Sequence, residues 1–233
     1  MPSFRELLLA FPGRPIAILG GGPSLPEQAS RLPAGCLKIS VNEHGCLLTS
    51  CDFIVAIDNK TEHRAKLQAL GVPIISPHAW AQYVIADQPQ LYYSSQHATW
   101  AAWLMGGHPI LLAGMDLYRG GAYWHAPGAK TSGTNRTLEG HLKGWQVTRD
   151  SVPAEVRVMG GPLASIFTLY DPGEVLPEYV EPERARLLQL GAGAVVRLKV
   201  DAPGIGRAGD IVEVPRRQGQ KLIAQRRATL QGA

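Results

Sequence analysis

The stretch Pro15-Ile16-Ala17-Ile18-Leu19-Gly20-Gly21-Gly22-Pro23-Ser24-Leu25-Pro26-Glu27 decides the fold. Residues 15–19 are a short apolar run stopped by glycines. Such a run reads as a buried strand, because a strand covered on both faces has no polar alternation to show. Ser24 and Glu27 match the S-x-x-E capping box, with Pro26 early in the helix where no N–H donor is needed. The three glycines therefore lie between a strand end and a helix start. A turn of that kind offers unpaired N–H groups and the positive end of a helix dipole to a phosphate. It has neither the G-x-x-x-x-G-K-[ST] spacing of a phosphate loop nor the G-x-G-x-x-G spacing of dinucleotide enzymes. A tight strand–helix turn with no ligand would have the same sequence.

The same strand–helix rhythm continues outward. Residues 37–41 and 53–57 read as strands that end at Asn42 and Asp58, and 62–70 as a helix closed by Gly71, with a short strand over 72–75. Residues 99–105 predict a helix with Gly106-Gly107 at its C-terminus, followed by a strand over 109–113 that ends at Gly114-Met115-Asp116. A helix over 138–148 and a strand over 156–159 complete the pattern. Alternating strands and helices with polar residues at the strand ends imply an α/β fold with a mainly parallel sheet. Ligands of such sheets bind at the carboxyl ends of the strands. Gly20, Gly21, Gly22, Pro23, Ser24, Asn42, Asp58 and Asp116 all fall on that edge. Asn42, Asp58 and Asp116 would serve equally well as caps of the following helices, and Asp52 reads as a cap.

Residues 117–137 have no periodicity, and structureless segments of that length belong to lids or to disordered loops. This one carries Tyr118, Tyr123, Trp124, His125, Thr131, Ser132, Asn135 and Arg136, groups suited to stacking on and hydrogen-bonding a polar ligand. Of the seven histidines only His125 and His141 fall in or just after it; His44, His63, His78, His97 and His108 read as structural. No H-x-E, H-E-x-x-H or carboxylate cluster supports a protein-built metal site.

The 233 residues are 45% hydrophobic and 18% charged, a globular composition. No apolar run approaches the roughly 20 residues of a membrane span, and the N-terminal run 7–11 is too short for a secretory signal, with Glu6 beside it. Cys36, Cys46 and Cys51 form neither a disulfide framework nor paired zinc hooks. A cytoplasmic, non-secreted protein is the expectation. The net charge of +4 is unevenly placed: residues 191–233 hold eight Lys and Arg against three acids, which leaves 15 basic and 16 acidic residues elsewhere. Only the tail is a candidate basic surface for a polyanion or a virion component. Asp171-Pro172-Gly173, Pro177 and Pro182 mark a linker, so the chain divides into an α/β domain over 1–172, a linker over 173–190 and a small β-rich module over 191–233. The module alternates over 194–200 and 210–214, as a small SH3-like barrel would.

The segment Ile18-Leu19-Gly20-Gly21-Gly22-Pro23-Ser24-Leu25 resembles the G-x-G-P-S-L loop of bacterial sialyltransferases that extend lipooligosaccharides, and of related MptE-like proteins, which include archaeal 6-hydroxymethylpterin diphosphokinases. Val41-Asn42 resembles the family's strand-end Asn. Residues 94–118, with a Ser-rich entry, a helix and Leu-Leu-Ala-Gly-Met-Asp-Leu-Tyr, resemble its T-S-G helix and G-(I/M)-D-(F/L)-Y strand. Gly140-His141 matches the position of its catalytic histidine. At position 21 the sialyltransferase loop has Asn. The resemblance covers about residues 14–170 and implies a GT-A-like Rossmann variant that binds a CMP-sugar without a metal and transfers the sugar to a glycan or other hydroxyl acceptor. It also implies roles. Gly21, Gly22, Pro23 and Ser24 would hold the phosphate and cytidine and Asn42 the nucleotide or sugar; Gly20, Asp58 and Asp116 at the strand ends and Ser95 complete the expected nucleotide site. His141 would be the base, and Tyr118 and Tyr123 would steady the leaving phosphate. The tail resembles modules at the ends of phage-encoded proteins, which implies a phage or prophage gene. Two other functions fit the same residues: a pterin diphosphokinase needing Mg²⁺ and ATP, or a non-catalytic nucleotide-binding, virion-associated module.

Overall fold

The computed structural model describes residues 3–85, 91–117, 123–127, 137–182, 193–198, 208, 211–215 and 228–230. In chain order the main elements are β1 (Ile16–Leu19), α1 (Leu25–Ser30), β2 (Leu37–Val41), β3 (Phe53–Val55), α2 (Thr61–Gln68), β4 (Ile74–Ser76), β5 (Tyr83–Val84), α3 (Ser94–Leu104), β6 (Ile110–Ala113), α4 (Leu138–Ser151), β7 (Val156–Val158) and β8 (Thr168–Leu169). The eight strands form one sheet in the order β5-β4-β3-β2-β1-β6-β7-β8, and every neighbouring pair is parallel. The chain builds outward from β1 to β5, then crosses back through α3 to place β6 on the other flank of β1. Strand order reverses between β1 and β6, so the crevice of an open parallel sheet falls there.

Alternation along the central strands explains their unbroken apolar runs. Ile16, Ile18, Ile39, Ile110 and Leu112 join the cluster around α3, while Ala17, Leu19, Leu111 and Ala113 face the other way, with Leu25 and Met159. Both faces are covered, so no position in β1 or β6 is polar. The two edge strands β5 and β8 have only two residues each, too few to show a pattern, and the sequence does not predict them.

Helix α3 lies across the sheet with ten of its eleven residues buried. It starts at Ser94, five residues before the predicted start at Thr99. Gln96 is the cause: its fully buried side-chain carbonyl accepts from the N–H groups of Tyr92 at 2.8 Å and Tyr93 at 3.1 Å, and so satisfies donors at the helix entrance. The N-cap residue is Tyr93, which carries no start signal in sequence. Beside α3 runs α4, capped by Thr137, whose Oγ1 accepts from the Gly140 N–H at 3.1 Å. Its inward stripe is His141, Gly144, Trp145 and Thr148. Gly144 is where the two helices meet, because a Cβ there would stand 3.2 Å from Gln96 Nε2 and 3.4 Å from the Tyr93 ring.

The first part of the predicted linker runs along this body. Glu174 pairs with the buried Arg157 at 2.9 Å, and the Pro177 carbonyl accepts from His108 Nε2 at 2.7 Å. Further on, β9 (Gly193–Leu198) pairs antiparallel with β10 (Ile211–Pro215) and with β11 (Ala228–Leu230). The first two follow the predicted alternations; β11 is not predicted. The other tail residues, including Arg216, Arg217, Lys221, Arg226 and Arg227, lie outside the described residues. Among the described residues no helix is long and apolar enough to cross a membrane.

His97 in α3 places a titratable ring inside the core. Its Nε2 is 3.4 Å from the Leu91 carbonyl and its Nδ1 is buried with no hydrogen-bond partner among the described residues. Burial lowers its pKa below the ordinary imidazole value. Below roughly pH 6.5 the unfolded chain therefore takes up a proton that the folded chain refuses, and stability falls as pH falls. Thermal melts between pH 7.5 and 5.5 should show a steeper loss for the wild type than for His97→Gln. Equal slopes would remove His97 as the cause.

Candidate functional site

The ends of β1, β2, β3 and β6 and the starts of α3 and α4 enclose a cleft of about 300 Å³. Nine of the residues predicted from sequence line it: Gly20, Gly21, Gly22, Asn42, Asp58, Ser95, Asp116, Tyr123 and His141. Pro23 and Ser24 instead line a shallower depression next door, with Asp116, Gly161 and Pro162. Tyr118 lies outside the described residues, as do Thr131, Ser132, Asn135 and Arg136.

The glycine loop differs from expectation in its hydrogen bonding. Ser24 caps nothing; it is itself in helical conformation, and its N–H and Oγ donate to Asp116 Oδ2 at 3.0 and 2.8 Å. The Gly20 and Gly22 N–H groups donate to the carbonyls of Ala113 and Gly114. The expected row of unpaired N–H groups is thus reduced to that of Gly21, which has no partner among the described residues. At the start of α1 the Asp116 carboxylate occupies the place of an anion. Glycine is required at 20 and 22 by this same packing: a Cβ at Gly20 would stand 2.5 Å from the Gly114 carbonyl, and one at Gly22 would run into the Asp116 carboxylate.

The start of α3 carries no such internal anion among the described residues. Ser94 and Ser95, its first two residues, line the cleft, and with them comes the positive end of an eleven-residue helix. Asn42 ends β2 with φ +52°, a left-handed conformation that Asn tolerates, and its Oδ1 is 3.4 Å from His63 Nε2. Neither Asn42 nor Asp58 caps a helix: the N-cap of α2 is Lys60, which makes no side-chain cap hydrogen bond. Asp52 accepts the Lys38 N–H at 2.8 Å and so fastens the start of β2.

Two histidines reach the cleft from different elements. His141, in the second turn of α4, is 1% exposed, with its ring centroid 5.3 Å from that of Tyr93. His44, read from sequence as structural, also lines the cleft and packs on Tyr123 at 4.3 Å. Its Nδ1 is 2.9 Å from His125 Nε2, and its carbonyl accepts from the Trp124 indole at 3.2 Å. Trp124 also donates its backbone N–H to the Gly21 carbonyl at 3.0 Å, so the 123–127 segment rests on the glycine loop. Burial pushes the His44 imidazole down to about 4, against the opposing charge of Glu43, and keeps it neutral at pH 7. Burial, then the Glu43 and Asp58 charges, push the Tyr123 phenol up, so it stays protonated and able to donate. Burial, the largest single cause, raises the Glu43 carboxyl, but the Lys66 ammonium at 2.7 Å, a backbone hydrogen bond and the His44 charge together bring the net shift downward.

One group of possible metal ligands, which no sequence motif marks, also stands at the end of β2. Glu43, His44 and His125 offer ligand atoms that lie within 4.8 Å of one another. Glu43 and His44 directly follow Asn42 at the end of β2, so the strand-end rule that selected Asn42 points to them as well. Their third member stands 81 residues further along the chain from His44, beyond any spacing motif. Cys36, Cys46 and Cys51 are free thiols, as expected.

No family model matches the sequence, and no curated protein matches it. Among solved structures, the chain is similar to the sialyltransferase CstII from Campylobacter jejuni in complex with a substrate analogue, cytidine-5'-monophosphate, at 15% identity and a TM-score of 0.50, covering 73% of this chain and 92% of that one. A second is the sialyltransferase CST-II in complex with trisaccharide acceptor and CMP, at 15% identity and a TM-score of 0.47, covering 72% and 91%. At this identity the likeness concerns the fold alone: the eight-stranded, Rossmann-like parallel sheet of this chain is built as in CstII.

Proposed function

We propose that the chain is a sialyltransferase-like glycosyltransferase that takes a CMP-activated sugar as donor and a hydroxyl of a glycan or similar acceptor. The observation that carries this reading is the meeting of His141, Tyr123, Ser95 and the glycine loop in one cleft at the β1/β6 crossing point. The likeness in fold to an enzyme solved with cytidine-5'-monophosphate supports the choice of donor.

In this reading the acceptor oxygen attacks the anomeric carbon as the bond from that carbon to the CMP phosphate breaks. A hydroxyl is a poor nucleophile until its proton leaves, and His141, beside the start of α4, takes that proton. Negative charge grows on the departing phosphate. Tyr123, kept protonated, donates to it, the start of α3 at Ser94 and Ser95 lowers its energy, and Tyr118 has the same role as Tyr123 in the family that the sequence resembles. Asp116 lines the cleft as expected and also holds the glycine loop through Ser24.

Nucleotide binding is the first check. At about 100 times its Kd, CMP should add about 2.7 kcal/mol of apparent stability in a thermal-shift assay without Mg²⁺. UDP, GDP and ADP should give smaller shifts. A shift seen with ATP and Mg²⁺ alone would favour the diphosphokinase reading instead, and no shift with any nucleotide would remove the nucleotide site.

His141 is the second. His141→Ala should lower kcat for sugar transfer by on the order of 10² to 10⁴, the range for a lost general base, with CMP affinity within a few-fold of wild type. Transfer and CMP calorimetry are measured on the same preparation, with His141→Gln as a variant that retains more of the buried volume. Transfer at the wild-type rate would take His141 out of the mechanism and leave His125 as the next candidate.

A further inference from the structure

Outside the transfer machinery, one cluster of ligating groups has no task in the reading above. Glu43 and His44 lie in the turn after β2, and His125 comes from the segment that rests on the glycine loop. Glu43 is 8% exposed and His44 5%. One Glu43 oxygen accepts from Lys66 Nζ at 2.7 Å, while the other, Oε2, is buried with no hydrogen-bond partner among the described residues. A buried, unpartnered carboxylate oxygen is costly, because it loses its hydration and gains no hydrogen bond in return. A hydrogen bond between the two rings would satisfy one pair of nitrogens and leave that oxygen as it is.

We propose that Glu43, His44 and His125 form a binding site for a zinc-class divalent cation, which fastens the Tyr123–Ala126 segment to the end of β2. The ring nitrogens His44 Nδ1 and His125 Nε2 stand 2.9 Å apart. Two imidazoles on one tetrahedral zinc, with Zn–N near 2.0–2.1 Å, have nitrogens roughly 3.3 Å apart, so a few tenths of an ångström of adjustment admits the ion. All three candidate atoms already lie within 4.8 Å of one another. Two imidazoles and a carboxylate suit zinc, cobalt or nickel, whereas magnesium and calcium favour oxygen ligands. The surrounding bonds are those that orient ligands: Lys66 on the other Glu43 oxygen, and the Trp124 indole on the His44 carbonyl. The ion would tie together two parts of the chain that already touch through Trp124 and Tyr123. None of this depends on which reaction the cleft performs.

The test uses the full chain, freed of metal by a chelator and then dialysed. Zn²⁺ calorimetry should show one equivalent bound, and Co²⁺ should give the visible absorption of a four-coordinate nitrogen–oxygen site. His125→Ala and Glu43→Gln should each weaken Zn²⁺ binding at least about 100-fold, since loss even of an outer-shell partner costs 10–100-fold. His108→Ala, whose ring is bound to the Pro177 carbonyl, should leave it unchanged. Circular dichroism checks that each variant is folded. X-ray absorption at the zinc edge of the wild-type protein needs no variant and should show two imidazole ligands and no sulfur. No stoichiometric binding, binding undiminished in the folded variants, or sulfur ligation by Cys46 or Cys51 would each overturn the site. CMP binding is read separately, so failure of the metal site and failure of the transferase reading are distinguishable.

Discussion

The bond pair from Ser24 to the Asp116 carboxylate holds the functional edge together. Asp116 follows β6 and Ser24 follows β1, and the crevice of the sheet opens between those two strands. Both bonds are charge-assisted, and one of them takes the backbone N–H of the residue that precedes α1. The surrounding backbone conforms to this contact. Gly20 and Gly22 donate to the carbonyls of the β6 end, and neither has room for a Cβ. An internal carboxylate therefore fills the position at which an incoming anion would otherwise meet α1. The cleft opens instead toward α3 and α4.

Those two helices supply what the glycine loop withholds. Helix α3 is nearly all buried, so its start is held by the core and not by exposed capping groups. Gln96 makes that start possible, and Gly144 lets α4 approach Gln96 and Tyr93 closely enough for His141 to line the same cleft as Ser95. A dipole end and a histidine thus arrive in one cavity from two helices that stiffen each other.

The central strands were legible because burial on both faces leaves continuous apolar runs, and because their ends are marked by Gly, Asn and Asp. The short edge strands β5 and β8 were not, since two residues cannot carry a period. The start of α3 was misjudged because its capping group, Gln96, lies inside the helix and acts backward. At the site, the strand-end rule found Asn42, Asp58 and Asp116 as cleft residues, yet it could not tell that Asp116 was already committed to Ser24. Ser24 itself read as an N-cap from local spacing, and a contact from 92 residues away overrode that spacing. His44 reads as structural in sequence because its partners, Tyr123, Trp124 and His125, become neighbours only in the fold.

Gly21 joins these strands of reasoning. The loop that this sequence resembles has Asn at that position. In this chain a Cβ at Gly21 would stand 2.7 Å from the Tyr123 ring and 2.8 Å from the His44 ring. The space an amide side chain would need is filled by the two packed rings of Tyr123 and His44, which are themselves held by the Trp124 bonds to Gly21 and His44. A side chain at position 21 and this ring wall therefore exclude each other in this chain. A ligand in this cleft meets aromatic and imidazole surface where the amide would have stood, so contacts there favour stacking over hydrogen bonding. Under the proposed function, selection among nucleotides or sugars at this wall would depend on ring faces and on the positions of His44 and Tyr123. Whatever fixes the 123–127 segment controls the shape of the site.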